Sequence, residues 1–150
     1  MKTYEKTSRI ECKIEDLFNF HLDFNNLKMI TPKDTKVTML DEMFIPKEGD
    51  ILRLKTVKNF IPMKWEVKIN TITYPNILVD IAIKSPFKYW KHTHSFTDMG
   101  DGFCELKDIV EYELPFGFIG EFFNFFVNHE LGKMFLYRHT VTRTFLGDMK

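Results

Sequence analysis

The sequence predicts an α+β domain in which a curved antiparallel sheet of about six to seven strands wraps one long C-terminal helix, with two short helices after the first strand. Three observations predict it. From Lys36 to Pro115 apolar residues alternate with period two between short turns. Those turns are too short for parallel crossovers, which need a dozen or more residues, so neighbouring strands run antiparallel. After Pro115-Phe116-Gly117 the apolar spacing becomes helical and stays so almost to the end of the chain.

Each element follows from its residues. Thr3, Tyr4, Thr7 and Ile10 among polar neighbours predict a half-solvated strand over 2–12. An acidic start at Glu15-Asp16 with Leu17, Phe18, Phe20 and Leu22 behind it predicts a short helix. A second small helix through 25–29 stops before Thr31-Pro32, because the residue before proline avoids the helical region. Val37 and Met39, with Asp41 at the end, form a strand before the turn at Pro46-Lys47-Glu48-Gly49-Asp50, and 51–58 form the next. Met63, Trp65, Val67 and Ile69 share one face of a half-buried strand. Tyr74-Pro75-Asn76 turns the chain, and Ile77, Val79, Ile81 and Ile83 make another apolar face. Strands over 88–98 and 103–114 flank the hairpin signal Met99-Gly100-Asp101-Gly102.

The closing helix carries Ile119, Phe122, Phe123, Phe126, Val127, Leu131, Met134, Phe135, Val141 and Phe145 at helical spacing, widened by Phe125 and Leu136. About 28 such residues would span roughly 40 Å. Gly132 interrupts the stripe. It marks either a close helix–sheet contact or space left for a ligand.

Composition narrows the function. The 150 residues fit one domain spanning 1–150, large enough to bury a core without disulfide or metal. Sixteen Phe, five Tyr and two Trp make 15% of the chain, a supply of rings that serves a core or the wall of an apolar site. The 21 basic residues balance 21 acidic ones, so no field attracts a phosphate backbone, and nucleic acid is not an expected partner. The two cysteines, Cys12 and Cys104, form no C-x-x-C pair, which suits a reducing compartment. The N-terminal residues lack an apolar h-region, and 114–127 is too short to span a bilayer and contains Glu121. The expectation is a cytoplasmic protein without stable membrane insertion. No G-x-x-x-x-G-K-[ST], G-x-G-x-x-G, G-x-S-x-G or H-E-x-x-H sequence occurs, so the commonest nucleotide, hydrolase and zinc-protease readings fall away.

Three segments carry a family resemblance. Ser85-Pro86-Phe87-Lys88-Tyr89-Trp90-Lys91-His92-Thr93-His94-Ser95-Phe96 resembles a G-P-F-x-x-W-x-H-x-H-x-F pattern, with Ser85 in place of the glycine. Asp108-Ile109-Val110-Glu111-Tyr112-Glu113-Leu114-Pro115-Phe116-Gly117 is similar to D-x-V-x-Y-x-L-P-F-G. Met134-Phe135-Leu136-Tyr137-Arg138-His139 resembles an F-x-Y-R-H segment. Together with the element order, these resemble the START-like (SRPBCC) superfamily of polyketide cyclase/dehydrase-like and lipid-transport proteins, over essentially the whole chain. The resemblance implies the helix-grip fold, with a ligand cavity between sheet and C-terminal helix.

Strand geometry puts Trp90, His92, His94 and Phe96 on one face, and Asp108, Val110 and Tyr112 on one face of the next strand. The expected lining is these seven residues with Trp65, Phe126, Phe135 and Arg138. Three readings follow. One is binding of a small hydrophobic or amphipathic ligand, lipid-, isoprenoid- or aromatic polyketide-like. The second is a cyclase, dehydratase or isomerase with His94 and Asp108 handling the proton and Tyr112 donating a hydrogen bond. The third is a protein-interaction module. His94 with Asp108 also reads as a structural pair, and Arg138-His139 either as an anion site or as a bridge to a strand. No cofactor is expected. His92 and His94 could begin a metal site, but the third and fourth ligands are not evident and Glu105 lies on the opposite face from Asp108, so no metal is expected.

Overall fold

The computed structural model describes residues 1–41 and 45–147, with side chains 117–121 outside the description. The elements are β1 (Lys2–Glu11), α1 (Ile14–Leu22), a 3-10 turn (Phe24–Leu27), β2 (Thr35–Met39), β3 (Ile51–Lys58), β4 (Ile61–Thr73), β5 (Ile77–Lys84), β6 (Tyr89–Gly100), β7 (Phe103–Glu113) and α2 (Gly117–Gly147). The strands form one antiparallel sheet in the order β1-β7-β6-β5-β4-β3-β2. First and last strands therefore lie side by side, while α1 and the 3-10 turn carry the chain to the opposite edge. Register shifts between β4 and β5, at Glu66/Val67 and Ile69/Thr71, insert residues that bend the sheet.

Both helices lie on one face of that sheet. Ile14, Leu17, Phe18 and Phe20 of α1 pack with Ile10, Leu78, Phe96, Cys104 and Leu106 from the strands and Leu146 from α2. Further along α2, Leu131 and Phe135 pack against Trp90, Val110 and Tyr112. A smaller group, Val37, Leu52 and Leu54, closes the far edge under Phe24 and Leu27. No helix among the described residues is long and apolar enough to cross a membrane.

Three local expectations need correction. Strand β2 ends at Met39, and Asp41 instead turns its carboxylate to the backbone N–H and guanidinium of Arg53, leaving the ladder. In β5 the register sets Leu78 opposite His94 and Asp80 opposite His92, so Leu78, Asp80 and Ala82 face the helices. Ile77, Val79, Ile81 and Ile83 alternate with them, where β-branched residues favour the pleat; of the four only Val79 is buried, and Ile83 is exposed. Finally, Phe122, Phe123, Phe125 and Phe126 of α2 are exposed, Phe125 at 84%. At that level the helix turns Asn124 and Val127 inward instead. Ile119 falls outside the described side chains.

Gly132 sits over β1. A Cβ there would meet only the Tyr4 hydroxyl, at 3.8 Å, an ordinary van der Waals separation. Gly132→Ala is therefore expected to stabilise the fold by about 1 kcal/mol through helix propensity alone. A higher urea midpoint at unchanged m-value would show it.

Candidate functional site

Between the α1-side core and the aromatic cluster, a layer of polar side chains crosses the sheet from β5 to β1 and reaches α2. Its centre is Asp108 of β7, buried at 3% exposure. His92 Nε2–H donates to Asp108 Oδ1 at 2.7 Å, and His139 Nε2–H of α2 donates to Oδ2 at 2.6 Å. The other ring nitrogen of His139, Nδ1, is hydrogen-bonded to the Ser8 hydroxyl, 2.7 Å away on β1. His94 Nδ1 lies 3.1 Å from Asp108 Oδ1, close enough for charge attraction but not aligned as a hydrogen bond. On its other side, His94 Nε2–H donates to Asp80 Oδ2 at 3.1 Å.

The electrostatics follow from this crowding. Burial alone would raise the Asp108 pKa, but the three imidazoles hold the carboxyl well below the usual range. Burial alone would lower that of His94, yet the carboxylates of Asp108 and Asp80 outweigh it and raise it to about 9. His92, burial first and the adjacent His94 second, moves downward. His21 of α1 is pushed down to about 3, mainly by burial and then by His94. Its Nδ1–H donates to the Leu17 carbonyl at 2.9 Å, and its ring centroid lies 5.7 Å from that of His94. His21, Asp80 and His94 border a cleft of about 10 Å³, room for one water molecule.

The aromatic residues separate into two places. Trp65, Trp90 and Tyr112 gather around Phe87, with Trp65–Trp90 centroids 5.4 Å apart and Phe87–Trp90 4.8 Å. Val110 and Phe135 border the same cluster, and Phe135 also meets His92 edge-on at 5.2 Å. Phe96 lies instead in the α1 core beside Phe18 and His21. Phe126 stands 59% exposed. The Tyr112 hydroxyl donates to Asn124 Oδ1 at 2.9 Å, and its Cα is four residues from Asp108, roughly 13 Å along the strand. His94 and Asp108 thus meet, while Tyr112 belongs to the aromatic cluster. Arg138, with its Cζ 5.5 Å from the Phe135 ring centroid, is not the group that bridges to the strand; His139 is.

Four buried polar atoms have no hydrogen-bond partner among the described residues: Thr56 Oγ1, Trp65 Nε1, His94 Nδ1 and Arg138 Nε. The three strand residues share the face that looks toward the helices. Burial depresses the Arg138 pKa, against the pull of Asp108 and Asp80.

Sequence reasoning missed Asp80, His21, Ser8 and Phe87. Asp80 was hidden because the apolar alternation of β5 pointed to its neighbours. Phe87 stands inside the quoted Ser85–Phe96 motif, which was the available signal.

No protein-family model matches the sequence, and no curated protein matches it significantly. Solved structures do match in three dimensions. A START superfamily protein from Mycobacterium smegmatis superposes with a TM-score of 0.74 at 14% identity, covering 99% of both chains. Norcoclaurine synthase from Thalictrum flavum, in complex with dopamine and hydroxybenzaldehyde, superposes at 0.72 and 14% identity over 99% of this chain and 88% of its own. The di-domain ARO/CYC StfQ of the steffimycin biosynthetic pathway superposes at 0.77 and 10% identity over 98% of this chain and 51% of its own. The curved seven-stranded sheet, the long closing helix and these superpositions together show that this chain has the START-like helix-grip fold.

Proposed function

We propose that the protein binds a small, largely apolar ligand with an acidic or carbonyl end between the sheet and α2. The observation that carries this reading is the set of unsatisfied polar atoms on the enclosed face. Leaving a buried donor without a partner costs about 1–3 kcal/mol, so such groups need a reason. The Trp65 indole N–H and the Arg138 guanidinium only donate, and the Thr56 hydroxyl also donates readily, so together they call for an acceptor. Trp65, Trp90 and Phe87 offer flat apolar surface for the remainder of the molecule.

Arg138→Met separates binding from folding. Removing an uncompensated buried donor is expected to leave the unliganded fold as stable as before or more so, by about 1 kcal/mol. The same change is expected to weaken fatty or aromatic carboxylates at least tenfold, about 1.4 kcal/mol. Native mass spectrometry and melting shifts against a panel of such acids measure both. No co-purifying molecule and no melting shift with any acid would defeat the reading.

A second reading has its own support. The ARO/CYC and norcoclaurine synthase named above are built on this fold, and His94 sits between two carboxylates at a water-sized cleft. That arrangement suits proton transfer to or from a bound carbonyl compound, with His94 and Asp108 as the participating pair.

A further inference from the structure

We propose that Asp80, His92 and His94 form a binding site for a divalent first-row transition ion, zinc being the reference case, with the cleft beside His21 as its open coordination position. Each of the three residues brings one donor atom to within 4.8 Å of the others. The sheet builds this grouping: Asp80 pairs with His92 across β5 and β6, and His94 lies two residues further on the same face. Asp80 Oδ2 and His94 Nε2 are already 3.1 Å apart. A tetrahedral ion with ligands at about 2.0–2.2 Å needs its donors roughly 3.3–3.5 Å from one another, so side-chain rotation at His92 closes the set.

Two imidazoles and one carboxylate suit zinc or ferrous iron and are poor for magnesium or calcium, which prefer oxygen. The surroundings also match. Metal-bound imidazoles are held by carboxylates that accept their second N–H. Asp108 accepts from His92 at 2.7 Å and stands 3.1 Å from the His94 ring, and it is itself fixed by His139. The cleft of about 10 Å³ touches Asp80 and His94 and leaves space for one water on the ion. His21 faces that space. Because a carbonyl only accepts, its Nδ1 carries the proton given to Leu17, and Nε2 keeps a lone pair for that water.

Charge permits the ion. Asp80 and Asp108 together offset a dication, while Arg138, whose charge both carboxylates feel, opposes it. The site is accordingly expected to bind more weakly than a four-ligand structural centre, yet with a Kd tighter than about 10 μM.

The chain, stripped with a chelator, would be titrated with zinc by calorimetry and with cobalt(II) by visible absorption. One ion per chain is expected, with cobalt bands typical of a four- or five-coordinate nitrogen–oxygen site. Asp80→Asn, which preserves size, is expected to weaken binding at least tenfold. His129→Gln, on the exposed side of α2, is expected to change nothing. Absence of saturable binding, equal binding by Asp80→Asn, or loss in His129→Gln would overturn the proposal. Should Asp80→Asn melt, the ring-nitrogen NMR signals of the unaltered protein decide instead. Zinc must shift those of both His92 and His94, and a shift confined to His129 refutes the site.

Discussion

Replacing Asp108 with alanine is expected to lower the unfolding free energy by about 3–5 kcal/mol, the range for removing one partner of a buried ionic cluster. The carboxylate serves three elements at once, accepting from His92 on β6 and His139 on α2 and lying against His94. Without it, two buried N–H groups lose their acceptor, and His139 keeps only its bond to Ser8 of β1 while its tie to β7 is lost. For a chain of this length each kcal/mol corresponds to about 2–4 °C, so the midpoint should fall by roughly 6–20 °C. Asp108→Asn keeps one acceptor oxygen and should cost less. Urea denaturation followed by tryptophan fluorescence measures both. A loss below about 1 kcal/mol for the alanine variant would mean the polar layer contributes little to holding the helix.

Stability of the metal-free protein should peak near neutral pH and fall on both sides, with His21 governing the acid limb. Its pKa is about 3 in the fold against an ordinary 6.5. Between those values the unfolded chain binds a proton that the folded chain refuses, so stability declines as pH falls from 6.5 and levels off near 3. The slope approaches about 1.4 kcal/mol per pH unit, and the total approaches 5 kcal/mol. Asp108 adds to this limb at lower pH. Its depressed pKa contributes stability that is present above the ordinary carboxylate value and is lost as pH falls through the folded one. His94 governs the alkaline limb, because its raised pKa contributes stability that is complete below 6.5 and gone as pH rises through about 9. The charged and titratable groups around His21 are His94, Asp108 and His139, with Asp80 across the shared cleft. Urea midpoints across pH 3–10 test the shape. His21→Phe should flatten the acid limb while leaving the alkaline one, and an unchanged acid limb in that variant would contradict the assignment.

The architecture was legible in the sequence because its signals are local. Met63 to Ile69 alternate cleanly, and Met99 to Gly102 mark a hairpin that forms where expected, between β6 and β7. The His92, His94 and Asp108 grouping was legible for the same reason, since two adjacent strands with a known turn fix their pairing. Asp80 was not. Its face depends on the register of β5 against β6, and the four branched residues around it argued for the opposite face. His21 and Ser8 were hidden because their roles arise only when α1 and β1 are brought to residues about seventy or more positions away. The exposed phenylalanines of α2 show the limit of periodicity. Helical spacing identifies a stripe, but not how much of it the sheet is long enough to cover.

That uneven cover gives α2 two mechanical characters. From Leu131 onward it is fastened by Phe135, His139, Thr142 and Leu146, all nearly inaccessible to solvent. Before it, the Lys58–Glu130 ion pair and the inward Asn124 and Val127 hold it against the sheet, while four phenylalanine rings remain in water. Local opening should therefore begin at the N-terminal turns and stop near Glu130, as a hinged flap whose release leaves the polar layer intact. Under the binding function proposed above, a ligand would pass through that seam, so its rate of exchange with bulk solution would be set by a few turns of helix and not by the stability of the whole fold.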